Sequence, residues 1–364
     1  MRRIGRRKFG REFAALGLAV RSEITMSSET KDAARRPSIT DVDGLSIGHF
    51  TLRERPSGCT VVVGDAPFTA GVDVRGGAPG TRETDLLRPE NTVEQVDAIV
   101  LSGGSAFGLD AAGGVVRWLE EKGRGYATSA GRVPIVCSAI LFDLGLGDSK
   151  FRPDARAGYE AARSASPGPV AEGSVGAGAG ATIGKMLGSG RAMRGGLGSW
   201  SLSHPGGLTV GALVAVNAAG DVRDPASGRL LAGARTADGN GLADTLQQLR
   251  SGPVTRSSPL RENTVLGVVA TNAALTKVQC CKVAQMAQDA LARCIQPSHT
   301  PWDGDTVFAL ATGRWSPKGE SASDLTTLVG ALAADVLASA ILRGIQQATA
   351  WGPYPAFRDL ARNR

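Results

Sequence analysis

The sequence predicts an α/β fold for nearly the whole chain. Short apolar, β-branched runs such as Val96-Asp-Ala-Ile-Val-Leu101 alternate with helical patterns, of which Asp324 to Ala350 is the longest. Glycine supplies 49 of the 364 residues, well above its usual share of about 7%. Because glycine tolerates tight turns and close backbone approaches, this abundance indicates many of both. A hydrophobic fraction of 42% and a mean hydropathy of -0.05 are typical of a globular protein.

The first third of the chain reads as strands followed by a strand, turn and helix unit. Asp41 to Ile47 and Cys59 to Gly64 predict two short strands around a polar turn, and Ala70 to Arg75 predicts a third. The strand Val96 to Leu101 runs into the turn Ser102-Gly-Gly-Ser-Ala-Phe-Gly108, after which a helix is expected to about Lys122.

The remaining elements alternate in the same way. Residues 223 to 262, rich in Gly, Arg, Ser and Pro, predict an exposed, cleavable linker with one helical patch near Leu242 to Leu249. The other elements that we predict are strands at Pro134 to Leu144, Leu208 to Asn217, Thr264 to Asn272 and Thr306 to Ala311, and helices at Tyr159 to Ser164, Thr276 to Ile295 and Asp324 to Ala350.

The positive charge is concentrated at the N-terminus. The net charge is +7, but residues 1–36 hold ten Lys or Arg against four acids, which leaves 31 basic and 30 acidic residues for the rest. A nearly neutral body argues against a nucleic-acid-binding surface. We therefore expect no nucleic-acid partner.

Cysteine usage indicates reduced thiols. The five cysteines are an odd number without paired spacing, and no CxxC motif or histidine pair accompanies Cys280-Cys281. A disulfide framework and a zinc site are both disfavoured. This pattern fits a cytoplasmic protein and predicts neither a metal nor a cofactor.

The N-terminal tail, residues 1–37, is predicted to be disordered or spurious. Arg6-Arg7-Lys8-Phe9 resembles a twin-arginine export signal, but the apolar run after it spans eight residues, ends at Arg21 and lacks a small-x-small cleavage site. Met26 is a second candidate start of translation. A cytoplasmic location is expected, with export as the open alternative, and no segment is expected to approach the roughly 20 apolar residues of a membrane span.

Two glycine-rich segments invite other functions. Gly103-Gly104-Ser105 lies one residue off a Gly-x-Ser-x-Gly nucleophile elbow, so a serine hydrolase using Ser105, His299 and Asp303 is an alternative, although the usual chain order puts the acid before the histidine. A substrate-binding wall at Gly104 and Ser105 is the favoured interpretation.

The second segment, Gly173 to Lys185, misses the phosphate-loop pattern because Ala179 and Met186 stand where Gly and Ser or Thr are needed. Lys185 is then either a solvated loop lysine or an ammonium carried close to a reactive centre by a backbone without side chains.

Polar residues mark the ends of three strands. Thr264, directly after Asn263, heads an apolar strand, and Asn217 ends another, where its amide suits either a turn or an oxyanion donor. Asp303 and Asp305 lie on a turn at the mouth of a further strand. Paired acids there can orient an amine and raise one of their own pKa values by repulsion.

In combination these motifs resemble the DmpA-type aminopeptidase family, over about residues 38 to 352. The motifs that carry the resemblance, in order, are Gly103-Gly-Ser-Ala-Phe-Gly-Leu109, Ala181-Thr-Ile-Gly-Lys185, Val216-Asn217, Asn263-Thr264 and His299-Thr-x-x-Asp-Gly-Asp305. The family includes β-peptidyl aminopeptidases, an L-aminopeptidase/D-amidase-esterase and endo-type nylon-oligomer hydrolases.

The resemblance implies a four-layered αββα sandwich, like that of N-terminal-nucleophile hydrolases but with different connectivity. It implies one catalytic domain, residues 38–355, that cuts itself between Asn263 and Thr264 into an α chain and a β chain, residues 264–364. Thr264 matches the nucleophile, Lys185 and Asn217 match polar active-site positions, and Asp303 and Asp305 match the acidic pair. A tetramer of αβ units is also implied.

The resemblance limits the substrate to a small peptide or amide. The β-peptidyl branch has Ser-x-Glu where this chain has Asp303-Gly-Asp305, so the match is closer to the nylon-hydrolase branch. A tyrosine of that branch is Phe142 here, which removes a hydroxyl from a substrate-binding position. The sequence also leaves open an acyltransferase of a related self-cleaving family and an inactive binding protein.

Overall fold

A computed structural model describes residues 36–252, 263–317, 319 and 321–361. The prediction for the tail at residues 1–35, and the last ten residues of the predicted linker, therefore lie outside the described residues. The strands of the described chain are β1 (Leu45–Thr51), β2 (Gly58–Val74), β3 (Thr81–Arg82), β4 (Gln95–Ser102), β5 (Tyr126–Thr128), β6 (Gly131–Val133), β7 (Val136–Ile140), β8 (Thr182–Ile183), β9 (Met193–Arg194), β10 (Gly196–Ser203), β11 (Thr209–Asn217), β12 (Asp221–Arg223), β13 (Leu230–Ala232), β14 (Thr264–Ala273), β15 (Ile295–Gln296) and β16 (Thr306–Trp315). The helices are α1 (Ala111–Glu121), α2 (Ala155–Arg163), α3 (Thr245–Ser251), α4 (Lys277–Ala287), α5 (Asp289–Cys294), α6 (Ala322–Gln347) and α7 (Phe357–Ala361).

One mixed sheet of nine strands dominates the fold. Its order is β10-β11-β14-β16-β2-β4-β7-β3, with β1 also paired to β2. The pairs β14 with β16 and β4 with β7 are parallel, and the other neighbours are antiparallel. The 17-residue strand β2 joins the two halves, because its first part pairs with β1 and β4 and its last part pairs with β16.

The expectation of separate strands at Cys59 to Gly64 and Ala70 to Arg75 was wrong. Both belong to β2, which shifts register between Val63 and Phe68. Asp65 to Pro67 are exposed at this irregularity. A proline is tolerated in a strand at such a point because no ladder hydrogen bond is required of it.

Alternation along the strands places apolar side chains on both faces of each half-sheet. On β11, β14 and β16, one set of residues packs under α4, α5 and α6, while the other set, including Leu266 and Phe308, faces Ile99 and Leu101 of the second half-sheet. The outer face of that second half packs against α1 and α2. The order of layers is therefore helix, sheet, sheet and helix, which confirms the predicted αββα sandwich.

Helix α6 corrects the expectation that no segment approaches the length and hydropathy of a membrane span. By length and mean hydropathy, 1.9, it is long and apolar enough to cross a membrane, although no segment was expected to approach that limit. Of its most apolar window, 61% is buried inside the protein. Val336, Leu337 and Ile341 are among the side chains that it buries in the core.

The linker prediction was wrong for residues 230–234, which are folded. Strand β13 pairs with β12, and Leu231 to Ala234 are buried. The buried Asp221 carboxylate accepts the backbone N–H groups of Ala234, at 2.7 Å, and Thr245, at 2.6 Å. The helix predicted from Thr276 to Ile295 is two helices, α4 and α5, which meet at Gln288.

Candidate active site

Three strand ends converge at one edge of the sheet. Because β14 and β16 are parallel, the residues before them, Asn263 and Asp303, lie side by side and form a backbone bridge. Because β11 is antiparallel to β14, its last residue, Asn217, pairs directly with Thr264. Opposed residues of an antiparallel pair project on the same face. The sheet topology thus brings together polar residues that are far apart in the sequence.

The peptide bond between Asn263 and Thr264 is buried and tightly held. The two residues are 4% and 3% exposed. The Asn263 carbonyl oxygen accepts the Gly304 N–H at 2.8 Å and also the Thr264 hydroxyl, while the Asn263 N–H donates to the Trp302 carbonyl at 3.3 Å. Two donors therefore point at the carbonyl oxygen of this one peptide, and the hydroxyl of the following residue is one of them.

The two acids both lie at this edge but contact different groups. Asp305 Oδ1 accepts the Val265 N–H at 2.8 Å. Asp303 Oδ2 accepts the backbone N–H and the hydroxyl of Thr300, at 2.8 and 2.6 Å. Burial, and then the charge of Asp305, raise the pKa of Asp303, while the Thr300 hydrogen bonds and the charge of Lys185 oppose this shift. Asp303 therefore has an increased tendency to hold a proton.

Lys185 is buried, and its ammonium fixes Asn217. Its Nζ donates to the backbone carbonyl of Asn217 at 3.0 Å and to Oδ1 at 2.9 Å. A Cβ at Gly184 would overlap the backbone of Ala234, so only glycine permits this approach of the lysine loop. Asn217 Nδ2 in turn donates to the Phe142 carbonyl at 2.9 Å. The solvated-lysine interpretation is therefore wrong, and the sequence-predicted residues Lys185, Asn217, Phe142 and Thr264 are neighbours.

Gly104 and Ser105 lie on the adjacent turn after β4. Both have positive φ angles, 85° and 56°. The Gly104 N–H donates to Asp143 Oδ1 at 2.9 Å, and the Ser105 N–H donates to the Leu141 carbonyl at 3.0 Å. This turn thus packs against the segment that carries Phe142.

His299 pairs with Asp305, which the sequence did not reveal. Its ring Nδ1 lies 2.8 Å from Asp305 Oδ2, and its backbone N–H donates to the same oxygen at 3.1 Å. The alternative triad joined His299 to Asp303 and Ser105, and no hydrogen bond connects those groups in the described chain. The HxxxDxD spacing around a turn was a signal for this contact.

A buried ion pair holds the turn that follows β4, and the sequence did not reveal this pair either. Arg55 binds Asp143, and both side chains are 0% exposed. Arg55 Nη1 also donates to the carbonyls of Asp143 and Leu146, at 3.0 and 3.2 Å, and the Ser57 hydroxyl donates to Asp143 Oδ2 at 2.7 Å. Burial raises the pKa of Asp143, and the charge of Arg55 opposes that shift. A carboxylate directly after an apolar strand was the available signal.

A small cavity of about 110 Å³ opens beside Lys185. Its lining combines the apolar side chains Phe142 and Leu146 with Thr182 and Tyr354. A larger cavity of about 660 Å³ lies elsewhere, near Arg53 and Arg152. In the part of the chain that the structure describes, no three His, Cys, Asp or Glu side chains are grouped so as to hold a metal ion.

Comparisons with known proteins agree on one family. The profile of peptidase family S58 matches residues 37–354. An uncharacterized aminopeptidase of Mycobacterium tuberculosis (strain ATCC 25618 / H37Rv) is 44% identical over an alignment of 353 residues. The alignment covers 89% of this chain and 97% of that protein. A 6-aminohexanoate-oligomer endohydrolase of Paenarthrobacter ureafaciens is 30% identical over 318 residues, covering 83% of this chain and 84% of that protein.

Solved structures share the fold. A β-aminopeptidase from Burkholderia sp. superimposes with a TM-score of 0.65 at 24% identity, covering 90% of this chain and 93% of that one. The L-aminopeptidase D-Ala-esterase/amidase of Ochrobactrum anthropi, described as a new variant among the Ntn hydrolase fold, superimposes with a TM-score of 0.63 at 22% identity, covering 86% of this chain and 87% of that one.

Proposed function

This chain belongs to peptidase family S58, a group of peptide-bond hydrolases that includes aminopeptidases, and from that premise we propose that it cuts itself between Asn263 and Thr264 and then uses Thr264 as its nucleophile. The observation that carries the proposal is the Asn263 carbonyl oxygen, which accepts both the Thr264 hydroxyl and the Gly304 N–H. The hydroxyl oxygen therefore lies beside the carbonyl carbon that it attacks.

Self-cleavage proceeds through an ester. Thr264 Oγ1 bonds to the Asn263 carbonyl carbon, and the Gly304 N–H stabilises the oxyanion that forms. The C–N bond then breaks, the nitrogen takes up a proton, and water hydrolyses the ester to an Asn263 carboxylate and a free Thr264 hydroxyl. We propose that the proton lost by Oγ1 is the one that the leaving nitrogen takes up, and that the neighbouring acids Asp303 and Asp305 orient the new amine.

Cleavage supplies the base for later turnovers. The new α-amino group has a reference pKa of about 7.7 to 8.0, much closer to neutrality than the value of about 10.4 for lysine. It can take the proton of the adjacent hydroxyl without a histidine, as the substrate carbonyl is attacked and an acyl-enzyme forms. Water then releases the acyl group, and neither a metal nor a cofactor takes part in the proposed cycle.

The surrounding residues have distinct roles in this proposal. Lys185 orients Asn217, whose Nδ2 uses one hydrogen on Phe142 and has a second for the substrate oxyanion. The Gly304 N–H becomes a further oxyanion donor once Asn263 departs. Asp305 holds the backbone after the nucleophile through the Val265 N–H.

The cavity beside Lys185 suits a small acyl group, so we propose short peptides or amides as substrates. The compounds to compare are aminoacyl amides, β-peptides and 6-aminohexanoate oligomers. The names of similar proteins, a 6-aminohexanoate-oligomer endohydrolase and a β-aminopeptidase, point to this range of substrates. A homo-oligomer of αβ units in the cytoplasm completes the proposal, with export as the alternative.

Two threonine variants and one serine variant test the nucleophile. Thr264→Ala lacks the attacking hydroxyl and should remain one uncut, inactive chain, whereas Thr264→Ser keeps a hydroxyl and should be cut and active. Ser105→Ala should still be cut and should keep kcat close to that of wild type, because Ser105 belongs to the predicted substrate-binding wall and any effect of the change should fall on KM. Mass spectrometry and hydrolysis of an aminoacyl p-nitroanilide provide the readouts. A Thr264→Ala protein that stays active, or a Ser105→Ala protein that is cut but has no turnover at saturating substrate, would assign the role of nucleophile to another residue.

A further inference from the structure

His299 forms a direct link to the backbone of the nucleophile. Its Nδ1 and its backbone N–H both contact Asp305 Oδ2, at 2.8 and 3.1 Å. The other carboxylate oxygen accepts the Val265 N–H at 2.8 Å. Asp305 is 2% exposed, and each of its oxygens is therefore assigned to a partner within the protein.

The backbone of His299 adopts an unusual conformation at this contact. Its φ angle is 55°, in the left-handed region that non-glycine residues rarely adopt. Such a conformation persists where the surrounding contacts determine it, and it occurs preferentially at functional sites. Here it allows one residue to direct two N–H donors at one carboxylate oxygen.

The chemistry of the contact defines the role of the ring. A carboxylate only accepts hydrogen bonds, so Nδ1 carries the hydrogen. Nε2 is buried and has no hydrogen-bond partner in the described chain. The histidine is therefore placed to orient Asp305, and no contact connects it to the substrate cavity.

We propose that His299 is a positioning residue for Thr264, acting through Asp305 and the Val265 N–H. This inference rests on the proposed function. Without the ring, the Asp305 carboxylate keeps only the backbone N–H groups of residue 299 and Val265, and a carboxylate with one donor fewer would fix the first residues of β14 less firmly. Because Oγ1 must approach a carbonyl within its own backbone, a displacement of about 1 Å is expected to slow the reaction by roughly 100-fold.

Two substitutions separate positioning from simple stabilisation. His299→Asn keeps a side-chain N–H at the place of Nδ1 and tolerates a positive φ angle. His299→Gly relieves the backbone but removes the ring donor. His204→Asn is the matched control, because His204 is outside the buried core and its ring hydrogen-bonds to the carbonyl of the neighbouring Pro205. The readouts are the rate of fragment formation after refolding, kcat and KM of the cut enzyme, and the thermal midpoint.

The expected result is a selective loss. His299→Gly should slow self-cleavage and lower kcat by roughly 10- to 100-fold with little change in KM or thermal midpoint, whereas His299→Asn should retain most of both rates.

The proposal is overturned if His299→Gly matches wild type. It is also overturned if both variants lose activity equally and in step with their thermal midpoints, because that pattern indicates a structural role. A wild-type chain that stays uncut would instead refute the self-cleavage on which the inference rests, so the two failures are distinguishable.

Discussion

At the scale of single residues, the Asn263 carbonyl oxygen is the atom on which the proposed self-cleavage depends. It accepts the Thr264 hydroxyl and the Gly304 N–H. Because the hydroxyl is itself the attacking group, the Gly304 N–H is the donor that stabilises the charge developing on the oxygen, and losing such a donor typically costs about 2.7 to 4 kcal/mol. The turn of residues 303–305 is therefore as important to the reaction as the threonine that it contacts.

Gly304→Ala should block this step. A Cβ at position 304 would lie 2.7 Å from Thr264 Oγ1 and 2.8 Å from the Ala78 carbonyl oxygen, so the turn must move and its N–H must leave the Asn263 carbonyl. We expect self-cleavage to slow by roughly 100-fold or more. The fraction of cut chain over time, measured by mass, gives the result.

Gly190→Ala is the matched control, because a Cβ there meets nothing within 4 Å. A Gly304→Ala protein that is cut as fast as wild type would show that the Gly304 N–H does not contribute.

The sequence indicated which polar residues lie together better than it indicated their partners. Thr264, Asn217 and Lys185 were singled out because each lies at a strand end or on a glycine-rich loop, which are local features; the structure brings them together, and their catalytic roles stay predictions. The partners were not found, because a contact such as Arg55 with Asp143 depends on how distant segments pack. His299 was assigned the wrong acid for the same reason, since the turn geometry at its positive φ angle selects Asp305.

At the scale of elements, the turn after β4 and the segment after β7 are joined by hydrogen bonds and form one side of the site. Asp143 accepts the Gly104 N–H, and the carbonyl of the preceding Phe142 accepts the Asn217 amide. The buried pair of Arg55 and Asp143 thus holds the segment that contacts Asn217.

Arg55→Met should destabilise the protein strongly at neutral pH. It leaves the Asp143 carboxylate buried without its cation, and breaking a buried pair in this way costs about 3 to 5 kcal/mol. Burial already raises the pKa of Asp143, and losing Arg55 removes an opposing influence. A raised folded-state pKa means that stability is present at low pH and is lost as pH rises. The defect should therefore shrink in acid.

Urea unfolding at acidic and neutral pH, in a Thr264→Ala background that keeps one chain, measures this effect. Arg53→Met is the control, because Arg53 is exposed two residues away. Equal free energies of unfolding for the two variants at neutral pH would contradict the assigned role of the pair.

Element boundaries were predicted well where pattern and pairing agree. The strand predicted from Thr264 was confirmed, as was the start of the helix predicted at Thr276, although that helix ends at Ala287. Strand β2 was predicted as two separate strands, Cys59 to Gly64 and Ala70 to Arg75, whereas long-range pairing with β4 and β16 keeps the strand continuous. No local property of the sequence contains that information.

At the scale of the whole molecule, the cut that we propose lies inside the sandwich. Residues from Thr264 onward supply β14 and β16, which lie between β11 and β2 in the main sheet, and they also supply α6. Their apolar side chains form part of two of the three core clusters in the described chain. The two fragments should therefore stay associated after cleavage, because separation would expose these cores.

The central claim is tested most directly by the intact mass of the purified wild-type protein. Under denaturing conditions we expect two fragments that meet between Asn263 and Thr264, and under native conditions we expect one species that contains both. A purified wild-type protein that consists of a single uncut chain and still hydrolyses aminoacyl amides would contradict the account.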